Sequence, residues 1–424
     1  MRGHIKRQTN LFVKINLEEL VPAGHPPRPI KAMADEALAS MSRTFAAAYA
    51  PSSKGGRPSV PPERMVKALV LLTLYTIRSE RAMCERITFD MLFRWFLDMT
   101  PDEDCFDHSD FTNFRGRIKG LDVTKKFSDA IVKRALDAGL ISEEHFSVDG
   151  SLLASLASLK SLRPIEEIKQ AAQEQEEKEK DGKRAGKKEE KKKGKEEEGK
   201  KSKGDSDAPP PAPPAGGTGG RPDSNAWVDF KGQKRSNKTH RSTTDPEARL
   251  YKKGEGQAAL LHHLMHVLME NRNGIGVDIR VGVADGHGER KCALGMLDRV
   301  KRALGLEPTT LGADKGYDAG DFLLALEKRS IEPHISCKSK SELDVPAADD
   351  DKGWARWHNQ RVQSDAGFEV SQRKRKRNEE IFGWCKVVGG LRKMRVAGRW
   401  KIQQLADIAL ATLNLVRVTK LLAK

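Results

Sequence analysis

The sequence predicts an α/β fold preceded by an all-α helical domain and interrupted by a low-complexity insert. Three observations predict it. Apolar residues recur near a 3.6-residue period over the first 140 positions; short β-branched stretches alternate with helical ones beyond them; and a long run almost without apolar side chains cuts into the second pattern.

The helical part begins with SVPPERMVKALVLLTLYTIRSERAMCERI, where Pro61 and Pro62 suit a first helical turn and the apolar residues then follow one face. ITFDMLFRWFLDM and SDFTNFRGRIKGLDVTKKFSDAIVKRALDAGLI continue the pattern after short polar breaks. The basic edges Arg57, Arg64, Arg78, Arg81, Arg115 and Arg117 would grip phosphates in the manner of a helix-turn-helix, or be the solvated charges of a plain helical scaffold. The expected domain spans 1–140 and is read as DNA-binding.

Next come three strand candidates, HFSVDGSLL, VDIRVGVADG and TTLGADKGY, interleaved with the helical candidates GQAALLHHLMHVLMENRNG, ERKCALGMLDRVKRALG and DFLLALEKRS. This alternation assigns 141–165 and 222–424 to one α/β domain, whose ligands are expected beyond the carboxyl ends of its strands. Between the two pieces, 166–221 runs through KEKDGKRAGKKEEKKKGKEEEGKK to DAPPPAPPAGGTGG. Such a stretch buries too little apolar surface to offset its conformational entropy, so a disordered insert is expected.

The net charge of +16 excludes few functions but favours a polyanionic partner. Acids and bases nearly cancel within the insert, so the excess resides in the folded parts. No apolar run approaches the ~18 residues of a membrane span, and the start MRGHIKRQTN lacks the apolar core of a signal peptide. Together with five widely spaced cysteines and no C-x-x-C pair, this predicts a cytoplasmic protein with no membrane partner. His262, His263 and His266 lack neighbouring carboxylate or cysteine ligands and are read as histidines packed within a helix rather than as a zinc site.

The acidic residues carry the chemistry. In RKRNEEIFGWCK, taken as one helix at about 100° per residue, Arg375, Glu379 and Lys386 share an arc of about 40°, and Ile381, Trp384, Cys385 and Val388 form the opposite, packing face. Glu380 points away from the trio. Glu379 is therefore the acid expected to project between two cations; alone, that pattern would be an ordinary i, i+4 ion pair. Asp149 closes the strand FSVD before Gly150, and Asp314 closes TTLGAD before Lys315. Either alone would be a turn former. Three convergent carboxylates, in contrast, suit a pair of Mg²⁺ ions: hard cations prefer oxygen ligands, and two of them about 4 Å apart can share a carboxylate and serve phosphodiester chemistry.

At these residues the chain resembles bacterial insertion-sequence transposases of the Asp-Asp-Glu superfamily, in the group named after insertion sequence five. GRPSVPPERMVKALVLLTLYTIRSERAMCER and MLFRWFLDM resemble the amino-terminal transposase domain, FSVDGSLLASLAS the first-aspartate strand, LGADKGYD the second, and FEVSQRKRKRNEEIFGWCKVVGGLRKMR the helix of the third acid. The family signature Tyr-x2-Arg-x3-Glu-x6-Lys is met by Arg375, Glu379 and Lys386, with Gln372 standing where the family has tyrosine.

The resemblance implies a ribonuclease-H-like catalytic domain, two Mg²⁺ (or Mn²⁺) ions on Asp149, Asp314 and Glu379, and action on double-stranded DNA at the element's inverted-repeat ends and at the target. It further implies a homo-oligomeric synaptic complex working at the bacterial nucleoid. Arg375 and Lys386 become candidates for holding element-end DNA, as do Lys238, His240, Arg241 and Arg249 within SNKTHRSTTDPEARLYKKG. Trp357, with Trp354 and His358 in a stretch read as irregular, is a candidate for stacking on an unpaired base, whereas Trp384 is read as packing. Two other readings remain open: a nuclease of the same fold that cuts without joining, and a catalytically silent DNA-binding derivative.

The choice between adjacent glutamates is testable. Glu379→Gln is expected to abolish cleavage of element-end DNA and Glu380→Gln to leave most of it, measured side by side in a gel-based nicking assay; the reverse result would overturn the helical-face assignment.

Overall fold

Prolines open two of the three longest helices of the amino-terminal region in the computed structural model, which describes residues 15–49, 59–170, 173, 229–230, 233–252, 257–285, 288–339 and 341–423. Contacts divide the chain into two compact units, one formed by residues up to Leu156 together with His262 onward, the other by Ala157–Leu261.

The first unit starts with α1 (Leu17–Leu20), α2 (Pro27–Ala39), α3 (Ser42–Ala48), α4 (Pro62–Leu74), α5 (Glu80–Phe89), α6 (Met91–Phe96), α7 (His108–Arg117) and α8 (Val123–Asp137). Local chemistry sets their limits. Pro27 and Pro62 occupy first turns, where the missing N–H costs nothing; Ser79 and Asp90 cap α5 and α6, and Asp107 and Asp110 form a reciprocal capping box on α7. Ile30, Met33, Ala34, Ala37 and Leu38 make a buried 3–4-residue stripe on α2. Neither α2 nor α3 was among the expected helices. Of the basic edges, Arg64 turns inward to the Leu97 and Asp98 carbonyls and Glu103, and Arg115 is buried against Glu80; Arg78 and Arg81 stay exposed.

The sheet of this unit uses β1 (His145–Ala154), the far part of β7 (Leu260–Glu270), β8 (Gly276–Val283), β9 (Thr310–Ala313) and β10 (Glu332–Ile335), in the order β10-β9-β1-β7-β8. The β1–β7–β8 pairs are antiparallel, and β1–β9–β10 are parallel. Helices α9 (Gly288–Leu304), α10 (Gly320–Glu327), α11 (Asp351–Val362), α12 (Ala366–Arg375), α13 (Arg377–Val387) and α14 (Arg399–Leu422) complete it. The mixed α/β arrangement with a helical amino-terminal region follows the sequence expectation.

Alternate residues of β1 serve two cores. Phe146 and Val148 join the cluster shared with α2, α4, α8, α9 and α10, whereas Leu153 belongs to a second cluster with Met265, Val267, Ile279, Ile381 and Cys385. Helix α14 lines both, through Ile408, Ala411, Leu415 and Val418 on one side and Ile402, Ala406, Ala409 and Leu413 on the other. Its amides also cover β8. Gln403 donates to the Ile279 carbonyl (2.8 Å) and accepts from the Val281 N–H (2.7 Å), and Asn414 does the same for the two backbone groups of Gly276 (2.8 and 3.3 Å).

A buried ionic cluster ties α8 to the sheet. Asp278, fully buried on β8, forms an ion pair with Lys125 at 2.6 Å and accepts from Arg299 at 2.8 Å, and Arg299 also reaches Asp129 at 3.0 Å. Burial pushes the Asp278 carboxyl up, but Lys125, Arg299 and Arg280 together bring it below its ordinary value. Nearby Asp407, buried and bonded by Thr124 and Gln403, is instead pushed by burial up to about 6.

The second unit contains β2 (Leu162–Pro164) paired with β5 (His240–Ser242), and β3 (Asp229–Phe230) paired with β4 (Gln233–Lys234). With β6 (Arg249–Tyr251) it encloses a small core of Leu162, Ala248 and Leu261. The expected insert at 166–221 lies almost wholly outside the described residues.

Several expectations are corrected. GQAALLHHLMHVLMENRNG, read as a helix, contains strand β7, and His262, His263 and His266 lie on that strand. Nearly every residue of β7 is buried because helices cover both faces, so no period-2 alternation remains to mark it as a strand. Asp149 does not end its strand, since β1 continues to Ala154 opposite β7. Trp354, Trp357 and His358 lie in helix α11 rather than in an irregular stretch. The single helix expected through Arg375–Lys386 is two, α12 and α13, joined at Lys376.

Asp407 makes the fold pH-sensitive. Its raised acid pKa means that the native state keeps a proton which the unfolded chain releases, so this contribution to stability falls as pH rises from about 4 to about 6. Asp407→Asn is expected to remove that fall, gaining on the order of 2–3 kcal/mol at neutral pH relative to the parent, as read from urea midpoints across pH.

Candidate active site

β9 pairs with β1 only through Ser147↔Gly312, after which the two strands part and leave β1 without a strand partner on that side from Val148 until Ala154 bridges Lys393. The cleft so formed holds the acids. Asp149 points from the same face of β1 as Ser147 and Ser151, because side chains two apart in a strand share a face. Asp314 follows β9 directly and caps the short 3-10 turn Lys315–Tyr317, accepting from the Gly316 N–H at 2.9 Å.

Helices α12 and α13 cover that face of β1 and meet it at three successive outward positions. Asn378 donates to Ser147 Oγ at 3.2 Å, and Ser147 in turn donates to Asn271 at 2.7 Å. Arg375 Nη1 lies 3.5 Å from Asp149 Oδ2, and Lys386 Nζ bonds Ser151 Oγ at 2.6 Å. Arg375 and Lys386 thus lean on β1 on either side of exposed Glu379, as the helical-face reading anticipated despite the joint at Lys376. Glu380 turns away to Arg417 (2.5 Å). Ile381, Phe382 and Cys385 are buried beneath α13, while Trp384 is only partly so.

Gln372, at the position where the resembled family has tyrosine, acts as a clamp. Its amide donates to the carbonyls of Ala313 (3.1 Å) and His334 (2.5 Å), at the ends of β9 and β10, and its oxygen accepts from Arg375 Nε (3.3 Å). One side chain therefore links the residue before Asp314 to the guanidinium beside Asp149. The close seat of α12 on β9 requires Gly312, where a Cβ would stand 2.9 Å from Ser371 Oγ.

The acids sense one another. Burial raises the pKa of Asp149; the Gly150 N–H and Arg375 oppose that rise, and the charges of Asp314 and Glu379 add to it. Glu289, in the first turn of α9, is likewise raised by burial and then by Asp314 and Asp149. Sequence reading missed Glu289, since an acid in a first helical turn looks like an ordinary dipole partner. Among the described residues no three His, Cys, Asp or Glu side chains close into a group able to hold an ion, so the acids form a gathered but open set. Their donor type and mutual repulsion fit a hard divalent cation.

The remaining candidates lie elsewhere. Trp357 packs edge-on to Trp354 (centroids 5.4 Å apart) and lies under the Arg361 guanidinium (4.5 Å). In the second unit, Lys238 is exposed, His240 Nδ1 lies 2.9 Å from Thr239 Oγ1, Arg241 pairs across the ladder with Arg163, and Arg249 bonds the Pro246 and Ala248 carbonyls.

Comparison with protein families places this geometry. Residues 15–117 match a transposase domain (DUF772), and residues 227–415 match the transposase DDE domain. The chain belongs to the Asp-Asp-Glu superfamily of insertion-sequence transposases, DNA-cutting and DNA-joining enzymes. Asp314 and Glu379 fall inside the second match, and Asp149 falls between the two. No curated protein and no solved structure matches the chain. Among the described residues no helix is long and apolar enough to cross a membrane.

Gln372→Ala is expected to lower stability by about 1–2 kcal/mol, because it strands two carbonyls and frees Arg375. A lowered urea midpoint accompanied by slower DNA cleavage checks the clamp; an unchanged midpoint removes it.

Proposed function

We propose that the protein cuts DNA at the ends of its mobile element and joins the freed 3′-hydroxyl to target DNA, with Asp149, Asp314 and Glu379 as ligands of two Mg²⁺ or Mn²⁺ ions. The observation that carries the reading is the electrostatic convergence of Asp314 and Glu379, both within the DDE match, on Asp149. The catalytic unit is read as ribonuclease-H-like, supported by the mixed sheet in which the first strand carries one acid and the splayed parallel neighbour carries the next. The Arg375-x3-Glu379-x6-Lys386 spacing supports membership of the insertion-sequence-five group.

Bound divalent ions would activate the attacking oxygen and stabilise the leaving one. In the first step a water oxygen attacks the phosphorus at the element end, and the bond to the 3′ oxygen breaks. In the second, that 3′-hydroxyl oxygen attacks a target phosphorus and displaces the target's own 3′ oxygen, so the number of phosphodiester bonds is conserved. Arg375 orients Asp149, while Lys386, held by Ser151, offers a positive charge to a backbone phosphate. Lys238, His240, Arg241, Arg249 and Trp357 are further proposed DNA contacts, and 1–140 a DNA-binding domain. The working form is proposed as a homo-oligomer joining two element ends at the nucleoid.

The test uses Mg²⁺ with both uncut and pre-cut element ends. Wild type is expected to nick the first and join the second to target, and Asp149→Ala to do neither. Nicking without joining would favour the nuclease reading; equal activity in both proteins would defeat the assignment of Asp149.

A further inference from the structure

Glu289 stands where no sequence signature placed an acid. It opens α9, which packs on the face of β1 that carries Phe146 and Val148, opposite the face met by α12 and α13. Gly150 lets it approach: a Cβ at that position would lie 3.7 Å from Glu289 Oε1 and 3.3 Å from His266 Nδ1. A methyl group there would press on the His266 ring and only touch the carboxylate, which stands beside the strand next to Asp149.

Two buried polar atoms lack partners, one three residues after Asp314 and one against Gly150. Tyr317, 1% exposed, has a hydroxyl bonded to nothing among the described residues, although the charges of Glu289, Asp149 and Asp314 all act on it. His266, also 1% exposed, has an unpartnered Nδ1 against Gly150. Buried polar groups are ordinarily satisfied, so two orphans around half-buried acids mark room for a polar occupant such as a hydrated ion. Glu289 itself accepts no hydrogen bond among the described residues. It feels Asp314 and Asp149 as its strongest charged neighbours, whereas Asp149 also feels Glu379.

We propose that Glu289 is a fourth carboxylate of the divalent-cation site, reaching Asp149 and Asp314 from the face of β1 opposite Glu379. The inference rests on the metal-dependent reading above. It gives the Asp149–Asp314 pair an acid on each flank, and with two ions to neutralise, a fourth oxygen donor relieves a shortage of ligands that three carboxylates leave.

Mn²⁺ binding to the full-length protein without DNA, followed by calorimetry, tests this. Glu289→Gln is expected to weaken binding about tenfold or more, or to remove one of two ions, while Glu380→Gln binds as wild type. Its melting temperature without metal should equal or exceed that of wild type, since a repulsive charge is gone, and the Mn²⁺-induced rise should shrink. Glu289→Asp, which keeps the charge on a shorter arm, should fall between Gln and wild type. Wild-type Mn²⁺ affinity in Glu289→Gln, or its failure to fold, would assign the residue a structural role and overturn the proposal. Asp149→Ala separates the two levels: if it loses Mn²⁺ and Glu289→Gln does not, only the fourth carboxylate is wrong. If neither variant changes binding, or the wild type binds none, the metal reading itself fails.

Discussion

Strand β1 is the constraint on which the rest depends. It lies centrally between a parallel and an antiparallel neighbour, so its register is fixed on both sides, and its two-residue period then decides which side chains enter the core and which enter the cleft. Ser147, Asp149 and Ser151 face the helices that bring Asn378, Arg375 and Lys386. A slip of one residue would turn the aspartate into the core that Phe146 and Val148 now fill and strand three polar helical residues at once. The hydrogen bonds between β1 and the two helices therefore act as a register check on the site as well as a fastening.

The electrostatics follow a division of labour. Where Asp278 is fully buried, three cations close on it and hold it ionised, which joins the helical region to the sheet. In the cleft the balance is reversed. Asp149, Asp314, Glu289 and Glu379 gather around fewer opposite charges, and the carboxyls of Asp149 and Glu289 are pushed upward. The site acids thus stand among fewer opposite charges than Asp278 does, an arrangement that suits an external cation.

Legibility from sequence followed the physics of each element. Amphipathic helices such as α8 and α9 keep one wetter face, so their period survives in the sequence. Strand β7 is buried on both faces and lost its period, which is why a strand was taken for a helix. Helical periodicity sets Glu379 apart from Glu380, and in the structure Glu380 turns to Arg417 while Arg375 and Lys386 both reach β1 across the joint at Lys376. Glu289 was not legible, because its approach to Asp149 depends on how a helix packs beside a strand far from it in the sequence. Gln372 was noticed only as a departure from the resembled signature; that it spans two strand ends is a tertiary fact with no local trace.

The side-chain amides of Gln403 and Asn414 bear on how copies of this chain could meet. At the β8 end of the sheet they imitate a neighbouring strand, taking up the N–H and C=O of Gly276, the C=O of Ile279 and the N–H of Val281. A second molecule arriving there would find no free ladder to extend and would have to displace a helix embedded in two cores. Edge-to-edge stacking of the kind that open sheet margins invite is thereby blocked along this border.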